Sequence, residues 1–346
     1  GTTTINGGEV NWLTDCDYST KALFNGGKLN IGSSSNNVSF TVGRNSSIDN
    51  ADSVYIYGGS TLNIEKDTKI SNIEGIGNFN VIYKTIIFDE NSKLDMGLNT
   101  NIKDSTVKFE NTSAGQTSSV LGTLAQDSVT LDNVQYHFEN TTITPNILFD
   151  GTEISRVLTT GDVNLNGQLI STRYGYVINE GNLTVSENQS GYKGKFYQRG
   201  ENAQTTINDS SNMFGGEKEI LAGELIVSGG TVNYDNIYLE SGTKLSQTIT
   251  SDVVGTLNSN TLKFMGSGAS AKFESANGTV ANIALSNINN GQENTISIIG
   301  GKVKLSDTDY TGKTIYDFQN SEIDLNDGSG NYKNYVFDEI KSTNSK

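Results

Sequence analysis

Pairs of carboxylates two residues apart are the first groups in this 346-residue sequence whose spacing could do chemistry: Asp15 and Asp17, Glu217 and Glu219, and Asp307 and Asp309. The stretch DLNDGSGN at 324–331 adds two more acids in a loop. On a strand, alternate side chains share a face, so each pair would point the same way. Two carboxylates on one face suit a glycosidase, and carboxylates with an Arg or Lys base suit a polysaccharide lyase. No pair has an Arg or His close by in the sequence, and glycoside hydrolysis requires a defined carboxyl separation. They are therefore read as solubilising surface groups, and no catalytic residue is assigned. The loop at 324–331 does not follow the EF-hand spacing and the nonapeptide calcium repeat is absent, so no metal site or cofactor is assigned either.

The remaining reactive types are scarce. His137, in NVQYHFEN, is the sole histidine, so a His-based triad or a zinc site has too few members. Cys16, in TDCDY, is the sole cysteine; it has no disulfide partner in the chain and no histidine nearby to activate it, and is read as inert. GIGNFN at 75–80 and GSGAS at 266–270 lack the third glycine and the following helix of a dinucleotide loop and read as turns. What stands out is aromatic and basic: Arg173, Tyr174 and Tyr176 in RYGYVINEGN, then Tyr192, Lys193, Lys195, Phe196, Tyr197 and Arg199 in GYKGKFYQRG. The two groups lie about one repeat apart, so Tyr174 or Tyr176 could stack over Tyr192 or Phe196. Strand alternation sends about half of these rings inward. The outward Tyr and Arg form a candidate contact patch, being residue types enriched in binding hot spots.

The elements that position these groups follow from composition. Thirty-eight Gly, one Pro, and an abundance of Asn, Ser and Thr disfavour helix interiors and favour turns and strand surfaces. Fifteen Tyr and 13 Phe spread along the chain argue against disorder. A net charge of −15 argues against nucleic acid as a partner, because tracking phosphates needs clustered Lys and Arg. No run approaches the ~20 apolar residues of a membrane-spanning helix. The N-terminal GTTTINGGEVNW has no signal-peptide pattern, and the chain reads as a segment that begins and ends inside something longer.

One phrase recurs: a small polar turn, then an apolar-polar-apolar triplet. It appears as NGGKLNIG, GGSTLNIEK, NSKLDMG, EGNLTVSEN, AGELIVSGG, SGTKLSQTI, GGKVKLSD and NSEIDLND. Leu225 and Leu245 are 20 residues apart, as are Val303 and Ile323, whereas Leu29, Leu62 and Leu94 are 33 and 32 apart. Short strands at a period near twenty suit one coil of a β-solenoid, in which strands stack in parallel on the coil below and inward Leu, Ile and Val form a narrow core. Asn at the turns would accept left-handed backbone angles and stack as amide ladders. The expectation is an all-β solenoid of about 15–17 coils at roughly twenty residues each. It forms one segment over 1–346, with irregular coils or loops around 110–160 and 250–295, where the phrase is lost. A β-sandwich array also gives short alternating strands, but the single Pro and the coil-length recurrence argue against it.

Residues 191–233, GYKGKFYQRGENAQTTINDSSNMFGGEKEILAGELIVSGGTVN, resemble the passenger-domain repeats of bacterial autotransporters: a G-x-Y/F-x-G opening, a Q-x-G-x-x-T-x-x-I coil, then M-F-G-G…I…G-G-x-L-x-V. The acidic, nearly Cys-free composition is similar too. That resemblance implies a right-handed parallel β-helix, export to the bacterial cell surface or the medium, and a role in adhesion, aggregation, biofilm or virulence. It also implies a parent protein anchored by a C-terminal membrane barrel that this chain does not include.

The functional expectation is a non-enzymatic surface adhesin. Polar side chains along one face of a β-helical rod would bind like rods on neighbouring cells, or a host protein or glycan, through many weak contacts. The alternatives are a carbohydrate-active β-helix enzyme, recognisable by a groove of convergent carboxylates and aromatic platforms, and a passive stalk displaying a distal domain.

Overall fold

A strand of three to six residues with one apolar side cannot build a core alone; it buries that side by stacking on the next coil. The described strands do so. The structure, a computed structural model, describes residues 2–17, 21–95, 99–103, 106–110, 119–121, 130–132, 135–140, 142–143, 147–149, 155–171, 175–232, 234, 236–250, 253–276, 281–286, 288, 292–326, 331 and 333–346. Among these residues the only helix is a single 3-10 turn, Ser210–Asn212, capped by the Asp209 carboxylate accepting from the Ser211 N–H. The fold is an all-β parallel solenoid, as the recurring phrase predicted.

Contacts divide the chain into two compact units, Gly1–Val177 and Ile178–Lys346. In the first, the strands Glu9–Trp12, Lys28–Ile31, Ser53–Ile56 and Thr68–Gly75 pair in parallel. This puts Val10, Leu29, Val54 and Ile73 in one column. A second sheet stacks Ser39–Val42, Thr61–Ile64 and Asn78–Ile82, with Phe40, Leu62 and Phe79 in register. Leu29, Val54, Ile73, Phe40, Leu62 and Phe79 are all fully buried. Leu29 and Leu62 thus belong to different sheets, which is why their separation of 33 residues exceeds a coil. The true partner of Leu29 is Val54.

In the second unit one ladder runs through Leu183, Thr205, Leu225, Leu245, Ala271, Ile296 and Tyr316. The pairings Leu225 with Leu245 and Val303 with Ile323 are the ones the repeat predicted. The window 250–295, where the phrase fades, carries the regular strands Val253–Leu257, Leu262–Phe264, Ser270–Ser275 and Ala281–Leu285. Their inward positions include Leu257, Leu262, Phe264, Ala271, Phe273, Ile283 and Leu285. The window 110–160 falls largely outside the described residues. Coils such as Leu29 to Val54 and Leu245 to Ala271 exceed twenty residues, so the chain makes fewer turns than a uniform period of twenty gives.

The turns behave as their composition demands. Asn140, Asn236, Asn320 and Asn344 have positive φ, near 50°. Amide ladders join coils on the strands rather than only at the turns: Asn30 Nδ2 donates to Asn11 Oδ1 at 2.8 Å and Asn80 Nδ2 to Asn63 Oδ1 at 2.9 Å, while between strands Asn25 Nδ2 donates to Asn6 Oδ1 at 3.0 Å. Gly223 has φ +74°, and a Cβ there would lie 1.9 Å from the Ala203 carbonyl oxygen one coil away. Only glycine allows that approach.

Candidate functional site

The aromatic and basic residues singled out in the sequence divide between core and surface where the structure describes them. Arg173 and Tyr174 lie outside the described residues. Tyr176 sits on the strand Gly175–Asn179, half-buried and alternating with the core residue Val177. The remainder belongs to the second unit. Tyr192, expected among the contact residues, is instead core at 1% exposure. Its ring meets Phe214 edge-on at 5.8 Å, and Phe214 stacks on Phe196 at 4.8 Å. Phe214, from MFGG, thus packs against both Tyr192 and Phe196. Lys193 is exposed and donates from Nζ to the Ser190 carbonyl at 3.2 Å.

Lys195, Tyr197 and Arg199 do face outward, on or just past the strand Lys195–Gln198, while Phe196 and Gln198 point into the core. Lys195 Nζ lies 2.7 Å from Glu217 Oε2 and 3.3 Å from Glu219 Oε1. The hydrogen bond to Glu217 raises the lysine pKa above its usual value, opposed by partial desolvation. The carboxylate pair considered for catalysis is thus bridged by a cation from the adjacent coil. Arg199 Nε pairs with Glu180 Oε1 at 2.6 Å.

Parallel register extends this into columns. Tyr197 lies opposite Glu219, Glu219 opposite Tyr238, and Tyr238 opposite Lys263. Lys263 Nζ stands 4.8 Å above the Tyr238 ring, a cation–π contact. Exposed Leu221 and Met265 flank the column. On another sheet of the same unit a second outward column reads Thr184, Thr206, Ile226, Ser246, Lys272, Ser297, Asp317 and Lys341. Apart from Ile226, these are short hydroxyls and charges of both signs at one-coil intervals.

Several of the other reactive candidates hold structural hydrogen bonds. Asp15 Oδ1 accepts from the Ser39 N–H at 2.9 Å. Asp309 is held below its ordinary carboxylate pKa by hydrogen bonds from the Thr311 hydroxyl and N–H. Asp324 accepts from the Asn326 N–H at 2.9 Å, and 327–330 of the acidic loop lie outside the described residues. Cys16 is buried, with Sγ 3.9 Å from the Thr41 carbonyl oxygen. His137 lies on the strand Gln135–Glu139, opposite Lys108 and Leu158. Among the described residues no cluster of three His, Cys, Asp or Glu is arranged to hold a metal ion, and no helix is long and apolar enough to cross a membrane.

Tyr238, Lys263 and Met265 were not legible as site residues, because their place beside Glu219 depends on the lengths of two coils. Fold and surface together define a parallel β-solenoid with outward columns of hydroxyl, aromatic and charged side chains. No protein-family model, curated protein or solved structure matches the chain.

Proposed function

We propose that this chain is a segment of a bacterial cell-surface adhesin of autotransporter type, attaching cells to one another or to a host surface through the outward columns of its solenoid. The observation that carries the reading is the ladder Tyr197, Glu219, Tyr238 and Lys263, with Lys195 beside it. It repeats aromatic faces and opposite charges at the spacing of the coils, about 4.8 Å. A surface periodic at that spacing is matched by another surface of the same period, most simply a second copy. Each contact is weak, since exposed ion pairs contribute about 0–1 kcal/mol. Many contacts in register convert weak affinity into avidity. The structural roles of Asp15, Glu217, Glu219 and Asp309 support a binding role over a catalytic one.

Beads coated with the chain, scored for clumping against beads coated with an unrelated acidic β-solenoid, test this reading. Clumping that is lost with Tyr197→Ala and Tyr238→Ala supports homotypic attachment. Beads that stay dispersed but adhere to host extracellular matrix leave host attachment. Beads that do neither overturn the adhesin.

A further inference from the structure

The first unit carries a surface with a different chemistry. A groove of about 560 Å³ lies on the outward face of the sheet formed by Glu9–Trp12, Lys28–Ile31, Ser53–Ile56 and Thr68–Gly75. Register fixes its floor and walls. One column runs Glu9, Lys28, Ser53 and, from the pairing of the next residue on each strand, Asn72; the neighbouring one runs Asn11, Asn30, Tyr55 and Glu74. Tyr57 continues the Tyr55 strand, and the two rings meet edge to face at 5.0 Å and 71°. Both rings are half-buried and line the groove.

We infer that this groove binds a neutral oligosaccharide. Four features point to that class. The volume falls in the range of small-ligand sites, about 300–1,000 Å³. With the rings 71° apart, one tyrosine offers an apolar platform for the C–H face of a pyranose and the other borders it. Beside them stand the Asn72 amide and the Ser53 hydroxyl, which can both donate and accept, and the largely buried Asn30, whose two amide hydrogens already go to Glu9 and Asn11, together matching the mixed donor–acceptor pattern of sugar hydroxyls. Part of this polar wall is already held in place: Asn30 Nδ2 donates to Glu9 Oε1 at 2.8 Å, and Asn72 Nδ2 to the Asp52 carbonyl at 2.8 Å. Preorganisation of this kind lowers the ordering cost of binding.

Charge selects among sugars. Glu9, Asp52 and Glu74 line the groove against Lys28 alone, on a chain of net charge −15. Uronic, sialylated or sulfated glycans would place like charge against the walls, whereas a neutral chain accepts hydrogen bonds from Lys28 and donates to the carboxylates. An extended peptide is the less suited occupant. The four strands are already paired side by side in the sheet, so the face offers no free backbone edge for strand addition. The groove lies in the first unit and its test requires no self-association, so it can fail or stand independently of the homotypic contact proposed for the second.

The test is titration calorimetry of the 346-residue chain with neutral gluco-, manno- and N-acetylglucosamine oligosaccharides of four units. Sialylated and polyuronic oligosaccharides and a lysine-rich peptide are the comparison ligands. A neutral tetrasaccharide should bind, and Tyr55→Ala and Tyr57→Ala, checked for an unchanged melting temperature, should each weaken it by about tenfold. Glu74→Lys with Glu9→Lys should admit the acidic glycans that the native groove rejects. The inference is overturned if no neutral oligosaccharide binds at millimolar concentration, if binding ignores both tyrosine substitutions, or if the peptide or the acidic glycans bind the native chain more tightly.

Discussion

Phe214 lies stacked on Phe196, ring centroids 4.8 Å apart and planes 12° from parallel, with Tyr192 edge-on to the same ring. The aromatic cluster that looks like a surface patch in the sequence is thus half core. Phe214→Ala should cost about 3–5 kcal/mol, the usual range for emptying a buried aromatic site. Urea unfolding followed by tyrosine fluorescence measures it. Tyr197→Ala, on the outward side of the same strand, should shift the midpoint far less.

What the sequence discloses here has a physical boundary. Alternation of period two told inward from outward on each strand, so Leu225, Val227, Leu245, Val303 and Leu305 were readable as core. Equal coil lengths also made the pairings of Leu225 with Leu245 and Val303 with Ile323 readable. Lateral neighbours are different, because they depend on how many residues each turn consumes. Glu219 meets Tyr238 after 19 residues and Tyr238 meets Lys263 after 25, and no local pattern announces either number. Tyr192 was misplaced because it lies before the strand Lys195–Gln198, yet the inward-outward alternation of that strand already runs through it and turns it inward with Phe196 and Gln198. The groove at Tyr55 and Tyr57 was invisible because its walls come from four coils.

Polar groups inside the solenoid should behave as a coupled set. Gln247 is buried in a column that otherwise carries Val227 and Phe273, and its amide donates to the carbonyls of Gly229 at 3.1 Å and Thr231 at 3.3 Å. Its carbonyl oxygen accepts from the buried Tyr234 hydroxyl. Gln247→Leu should cost about 1–3 kcal/mol for the partners left unsatisfied. Combining it with Tyr234→Phe should cost less than the two singles added, which a double-mutant cycle by thermal unfolding would read.

Backbone geometry gives a third expectation. Gly223→Ala places a methyl group on the Ala203 carbonyl at a residue with φ +74°. The substitution should destabilise by about 1–3 kcal/mol, whereas Gly242→Ala, also at positive φ but with open space around the new methyl, should cost less. Melting temperatures of the two variants compare them directly.

Alkaline pH should loosen the second unit. Burial pushes the Tyr316 phenol up to about 12, and burial also raises that of Tyr310, whose hydroxyl donates to the Leu285 carbonyl at 2.7 Å. The folded chain therefore keeps these protons after the unfolded chain has lost them. Stability is full below the ordinary tyrosine value of 10.0 and falls as pH rises from there toward 12. Urea midpoints between pH 9 and 12 should decline, and Tyr316→Phe should flatten the decline.

The central claim is that the outward columns of the second unit bind a surface of the same period. Sedimentation velocity over a concentration series tests it most directly, on the native chain and on a variant carrying Tyr197→Ala, Glu219→Ala, Tyr238→Ala and Lys263→Ala. The account predicts reversible association of the native chain that rises with concentration, and a variant that melts at a similar temperature but remains monomeric. A native chain that stays monomeric at every concentration, or a variant that associates equally well, would contradict it.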